Sequence, residues 1–114
     1  MTAEPSQRDV WLAQLDPVEG HEQGGRRPVV VLSLNALSRT GLAVVIPMTT
    51  TDRSSGLHLA LAPPEGGLRE RSFAMPEMIR SIATSRLIAR WGSVRPATHS
   101  ELVRRLRVIT QPTS

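Results

Sequence analysis

The chain contains no cysteine, no tyrosine and no lysine. Without cysteine there is no disulfide framework, no thiolate metal site and no cysteine nucleophile, a pattern that fits a reducing compartment. Aromatic residues are equally scarce. Trp11, Phe73 and Trp91 are the whole set, too few to build the stacking platforms that hold single-stranded bases, so any nucleic-acid binding must lean on charge. No apolar run approaches the ~20 residues of a membrane span, and the polar start Met1 to Arg8 has no signal-peptide apolar region. The sequence therefore reads as a soluble, cytoplasmic protein with no membrane partner. Its 114 residues and 12.5 kDa suit one domain over 1–114, with one core and no room for two.

Several chemistries are missing as well. There is no G-x-S-x-G elbow, no P-loop and no G-x-G-x-x-G turn, which removes the serine-elbow hydrolases and the nucleotide-cofactor enzymes. His21, His58 and His99 stand far apart, and neither an H-E-x-x-H nor a paired aspartate motif occurs, so neither a metal site nor a cofactor is expected.

What is present is positive charge. The net charge is +4, carried by 14 basic residues, all arginine. Planar guanidinium groups suit bidentate phosphate contacts, although a base composition that replaces lysine by arginine produces the same pattern. From residue 79 onward seven arginines face Glu101 alone, a balance of +6, which leaves −2 for residues 1–78. Such a surface attracts RNA phosphates or an acidic peptide.

Alternation and turn residues place the elements. Residues 10–15 predict a first strand stopped by Asp16-Pro17, and residues 18–25, with three glycines, predict a loop. Pro28 to Leu32 is almost wholly apolar, as expected of a strand covered on both sides. Leu42 to Ile46 predicts a second such strand, stopped by Pro47, with Met48 to Arg53 leaving the core. Leu57 to Leu61 alternates weakly around His58, a surface or packed histidine, and predicts a further strand. Ser72 to Met75 and Met78 to Ile82 read as one strand interrupted by Pro76. Thr98-His99-Ser100-Glu101 has the form of a capping box. Leu102, Val103, Leu106 and Ile109 then follow on one helical face, with Arg104, Arg105 and Arg107 mostly turned outward. The expected fold is a mainly β, SH3-like small barrel or curved sheet, closed by a C-terminal amphipathic helix.

The most unusual stretch is Gly20-His21-Glu22-Gln23-Gly24-Gly25-Arg26-Arg27-Pro28, a titratable pair on a glycine loop leading into an arginine at the mouth of an apolar strand. A loop gives reach and a strand fixes the arginine; by itself, a charged glycine-rich loop equally well solvates a turn. This string, continued by Val29-Val30-Val31-Leu32-Ser33, resembles the MazF/PemK/Kid family of bacterial toxin endoribonucleases. So do Asp9-Val10-Trp11-Leu12 with Leu15-Asp16-Pro17, the stretch Thr40 to Thr49, and more weakly Glu77 to Ile82. The resemblance runs from Arg8 to Ile109.

The resemblance implies a CcdB/PemK-type fold and metal-free, sequence-specific cleavage of single-stranded RNA. It also implies a homodimer, and inhibition by an acidic, MazE-like antitoxin. Residue by residue, it puts Arg27 on the family's catalytic arginine and Thr49 on its catalytic threonine. His21 and Glu77 fall on positions implicated in the PemK/Kid branch. Around them Glu22, Gln23, Arg26, Thr50, Arg53, Arg80 and Arg86 are the expected RNA contacts. Two departures stand out. Met78 replaces a common glutamine, and Met75 stands where the PemK branch has arginine, so the PemK proton scheme does not transfer intact.

The chemistry of these residue types agrees with such roles. RNA carries its own nucleophile, the 2′-OH, so the protein must manage only protons and charge. Arg27 can hold the equatorial oxygens of a phosphorane, and Thr49 can add a hydroxyl donor. His21 or Glu22 suits the base better than a guanidinium, which rarely releases its proton. Other readings remain for the same residues: Thr49 in an ST-turn, and His21 solvated on its loop. Two other classes share the small-barrel fold, a CcdB-like gyrase-binding toxin without an active site and a simple RNA-binding module. Arg27 and Thr49 separate the nuclease from both.

Overall fold

The computed structural model describes residues 4–113. Strand β1 (Asp9–Gln14) is followed by the glycine loop and by β2 (Arg26–Val31), antiparallel to it, with Val10 opposite Val30 and Ala13 opposite Arg27. A one-turn helix α1 (Asn35–Ser38) leads to β3 (Leu42–Thr49), the longest strand. Short strands β4 (Leu59–Leu61), β5 (Ser72–Ala74) and β6 (Arg80–Ala83) precede β7 (Leu87–Ser93) and the helix α2 (Pro96–Thr110). The sheet runs β4-β5-β3-β2-β1-β7, and β6 also pairs with β3. No helix is long and apolar enough to cross a membrane among the described residues.

Pro47 does not stop β3. The strand continues to Thr49, and Met48 and Thr49 are buried rather than leaving the core. The hydrogen-bond geometry explains this. Leu32 N–H bonds to Val44 O, so even-numbered residues of β3 face β2. The backbone of Pro47 therefore points to the other edge, where its carbonyl accepts Met75 N–H at 3.0 Å. That edge changes partner at Pro47: β6 pairs with Leu42 to Val45, and β5 pairs with Met48 and Thr49. A missing N–H is tolerated where no ladder bond is called for.

The stretch expected as one strand broken at Pro76 is thus two strands, β5 and β6, separated by a 3₁₀ turn over Pro76–Met78 and both antiparallel to β3. Strand β4 is shorter than expected and begins after His58. Strand β7 has no counterpart in the sequence reading. Arg90 and Gly92 blur its alternation, and it follows β1 through two register shifts.

Alternating residues of the central strands feed two apolar clusters, one on each face. Val30, Ile46 and Met48 meet Leu61, Val94 and Leu102 beneath α2, while Val29, Val31 and Val45 meet Ala13, Ile82 and Leu87. This is why β2 and β3 read as continuous apolar runs. Gly67 (φ +71) lies so close to the Trp91 carbonyl that any side chain would collide with it.

The helix begins two residues before the expected capping box. Pro96 occupies its first turn, suiting the fixed φ of proline, and Arg95 is the N-cap residue. The cap comes from a distant element: the Glu65 carboxylate accepts Arg95 N–H at 3.0 Å and Thr98 Oγ1–H at 2.5 Å. Glu101 instead binds Arg104 and Arg105. Leu102 is buried and Leu106 packs on the core, but Ile109 is exposed. Arg105 also departs from expectation, because it turns inward and its Nη1 donates to the carbonyls of Leu57 and His58 at 3.2 and 2.7 Å.

Candidate active site

Arg27 is the second residue of β2 and lies half-buried on the same side as Val29 and Val31. Its Nε donates to Gly24 O at 3.0 Å and its Nη1 to Met48 O at 3.1 Å. Two carbonyls therefore fix the fork, one from the end of the glycine loop and one from the end of β3. No carboxylate pairs with Arg27 among the described residues. A guanidinium has five N–H donors, so three remain for a ligand. Burial, and secondarily the positive charge of Arg53, lowers the pKa of Arg27 from its ordinary value. The group is thus a desolvated cation without a counter-ion, the state in which an anion is held most strongly.

Thr49 ends β3. The β2–β3 register pairs Val29 with Pro47, and the same register carried two residues further sets Arg27 opposite Thr49. Thr49 is 9% exposed, and its Oγ1 accepts Thr51 N–H at 3.2 Å. The ST-turn is therefore real. It does not compete with a chemical role, because a hydroxyl that accepts one bond still has its own proton to donate. The two groups stand together at the open end of the second apolar cluster.

The glycine loop, whose Gly24 carbonyl accepts Arg27 Nε–H, also carries His21, Glu22 and Gln23. His21 and Glu22 are exposed. Glu22 is engaged within its own loop, its N–H donating to Glu19 O and its Oε1 accepting Glu19 N–H at 2.6 Å. His21 forms no hydrogen bond within the chain among the described residues. A side chain at Gly24 would displace the Asp16 and Val18 side chains, which pack directly against it.

Glu77, in the 3₁₀ turn, pairs neither with His21 nor with Arg27. Its Oε2 meets His58 Nε2 at 2.6 Å. The His58 side chain is 4% exposed and that of Glu77 27% exposed. His58 is therefore a packed residue, and its partnership with Glu77 was beyond sequence reasoning, which had no pattern linking residues 19 apart on different elements. Met75 is fully buried and donates its N–H to Pro47 O, which accounts for an apolar side chain there. Met78 is half-buried on the same turn.

Arg80 and Arg86 take up positions of another kind. Arg80 Nη1 donates to Leu15 O at 3.2 Å, and Arg86 Nη1 donates to Gln14 O and Asp16 O at 3.2 and 2.5 Å. Both guanidinium groups hold the base of the glycine loop. Arg26 and Arg53 are exposed. Thr50 follows the last residue of β3 and lines a cleft of 620 Å³ with Pro28, Arg69, Arg90 and Trp91. The basic C-terminal segment is partly neutralised across the fold: Arg90 pairs with Asp9 and Arg95 with Glu65.

Residues 6–110 match the family described as PemK-like, MazF-like toxin of type II toxin-antitoxin system. The chain is 32% identical over 107 residues to endoribonuclease MazF9 of Mycobacterium tuberculosis, covering 88% of this chain and 91% of that protein. The crystal structure of MazF from Deinococcus radiodurans superposes with a TM-score of 0.80 at 27% identity, covering 96% of each chain. A MazE-MazF crystal structure from the same organism superposes at 0.77, with 24% identity, covering 94% of this chain and 96% of that one. With its mainly antiparallel sheet, its C-terminal helix and a family match over nearly its whole length, the chain belongs to the PemK-like, MazF-like toxins of type II toxin-antitoxin systems.

Proposed function

We propose that this toxin is an endoribonuclease that cuts single-stranded RNA at a short sequence without a metal ion. In this reading the 2′-OH attacks the adjacent phosphorus, the bond to the 5′ oxygen breaks, and the products are a 2′,3′-cyclic phosphate and a 5′-OH. The observation that carries it is the half-buried Arg27 fork, held by the Gly24 and Met48 carbonyls at the strand end where Thr49 stands. Its free N–H donors and the Thr49 hydroxyl bind the non-bridging oxygens as negative charge builds in the transition state. Proton transfer falls to Glu77 and His21. The second carboxylate oxygen of Glu77 has no partner among the described residues and takes the proton of the 2′-OH. His21, on its exposed loop, supplies one to the departing 5′ oxygen. Glu22, engaged with Glu19, lines the RNA path with Gln23, Arg26, Thr50 and Arg53. Arg80 and Arg86 contribute their remaining donors from the loop base.

The working form is a homodimer, held inactive by an acidic, MazE-like antitoxin that competes with RNA for the arginine surface. The test is cleavage of an RNA in EDTA, with end-group analysis of the products. A cyclic phosphate and a 5′-OH are expected, and a single 2′-deoxy substitution at the cut site abolishes the reaction. A strict Mg²⁺ requirement, or a 3′-OH product, overturns the reading.

A further inference from the structure

We infer that His58 is a positioning residue for Glu77, and that helix α2 holds it in that role through Arg105. The inference rests on the reading of Glu77 as a proton-transfer group and adds a residue to it. His58 lies immediately before β4 and its side chain is 4% exposed, while Glu77 reaches the surface from the 3₁₀ turn. Their only polar link is Nε2 to Oε2 at 2.6 Å. The second ring nitrogen, Nδ1, is buried and has no partner among the described residues.

That asymmetry decides what the ring does. A buried nitrogen without a partner is tolerated more readily as a bare lone pair than as an N–H left unbonded. The hydrogen bond accordingly assigns the proton to Nε2, which donates it to Glu77. An imidazole placed only to fill the core would be replaced at less cost by leucine, since one of its two polar atoms is unsatisfied. What leucine cannot do is hold one carboxylate oxygen while the other keeps no partner among the described residues. With Oε2 tied down, the Glu77 carboxylate has one orientation instead of a cone of rotamers, which is the preorganisation that proton transfer requires.

The backing continues into α2. Arg105 Nη1 donates to His58 O at 2.7 Å and Leu57 O at 3.2 Å, and Arg105 Nε donates to Glu101 Oε1 at 2.9 Å. The helix therefore fixes the backbone of the residue that fixes the carboxylate. This gives the inward turn of Arg105 a reason that an outward-facing basic helix lacks.

The experiment measures single-turnover cleavage of a long single-stranded transcript by full-length dimeric protein, with both rate and half-saturating enzyme concentration recorded. Glu77→Ala is expected to lower the rate by ~10². His58→Phe, which keeps the ring volume but removes the donor, is expected to lower it by ~10-fold or more with half-saturation unchanged. His58→Gln, whose amide nitrogen ends near the Nε2 position, restores most of the rate, whereas His58→Asn, which reaches only to Nδ1, does not. In the Glu77→Ala background, His58→Phe should cost nothing further, because contacting residues that act through one another are not additive. An equal loss in both backgrounds, or Gln behaving no better than Asn, overturns the inference and leaves Glu77 in place. If His58→Phe fails to fold, the Gln and Asn pair decides alone. An unchanged rate in Glu77→Ala overturns the role of Glu77 itself, and that of His58 with it, before His58 is touched.

Discussion

Arg27 and Met48 belong to neighbouring strands, and the guanidinium of one donates through Nη1 to the backbone carbonyl of the other at 3.1 Å. The bond is modest in itself. Its consequence is that the fork cannot swing into solvent, and the unpaired charge stays beside Thr49, the residue that follows Met48.

Arg27→Ala should therefore slow single-turnover cleavage by ~10²–10³, the usual cost of one preorganised donor to a developing charge. RNA affinity should fall much less, since other arginines remain. Arg27→Lys is expected to recover little, because a lysine ammonium is a point charge and cannot span the Gly24 and Met48 carbonyls while facing a phosphate. Quench-flow cleavage beside filter-binding affinity separates the two effects. Equal losses in both would make Arg27 a binding residue only.

At Thr49 the hydroxyl accepts Thr51 N–H, and in the proposed mechanism it also donates to substrate. Thr49→Ser keeps both and should stay within several-fold of the parent rate. Thr49→Val keeps the shape but not the hydroxyl, and should lose ~10² in rate with the unfolding midpoint lowered by the missing turn bond. A fully active Thr49→Val protein would return this residue to the turn alone.

Arg86 and Arg80 give a prediction of a different sort. With Arg86 bound to Gln14 O and Asp16 O, Arg86→Ala should free the base of the glycine loop. Limited proteolysis should then cut between residues 16 and 25 faster, and cleavage activity should fall through loss of loop order. If proteolysis is unchanged while RNA affinity drops with a shallower salt dependence, Arg86 is a phosphate contact and not a loop anchor.

The Glu65 cap predicts a pH dependence of stability. Desolvation acts to raise its carboxyl, but the hydrogen bonds from Thr98 and Arg95 outweigh it and hold the folded-state pKa below the ordinary value. A carboxyl depressed in the folded state stabilises the fold above the unfolded pKa of ~4.3, and this is lost as pH falls toward the lower folded value. Glu65→Gln should cost ~1 kcal/mol at pH 7, as loss of a helix cap does. The gap from the parent protein should close as the solution is acidified below pH ~4. Denaturant melts across that range measure it, and a gap that widens in acid would contradict the assignment.

The sequence by itself determined the local and repetitive features of this protein. The continuous apolar runs at Val29 to Val31 and Val44 to Ile46 require strands buried on both faces. The glycine string ending in Arg26-Arg27 fixes a loop that delivers an arginine to a strand mouth, and the apolar positions at 102 and 106 set the buried side of the last helix. These follow from side-chain period and backbone propensity, which act over a few residues and so leave a trace in the order of the chain. Only the tertiary structure decided the rest. Pro47 continues a strand because its bare nitrogen faces the gap between β5 and β6. Thr98 binds Glu65 instead of capping its own helix, and Glu77 finds His58. Arg80, Arg86 and Arg105 turn toward carbonyls instead of solvent. Each is a choice among several donors or acceptors of similar strength at short range, settled by which elements the fold brings within 3 Å, and no nearest-neighbour pattern in the chain encodes that distance.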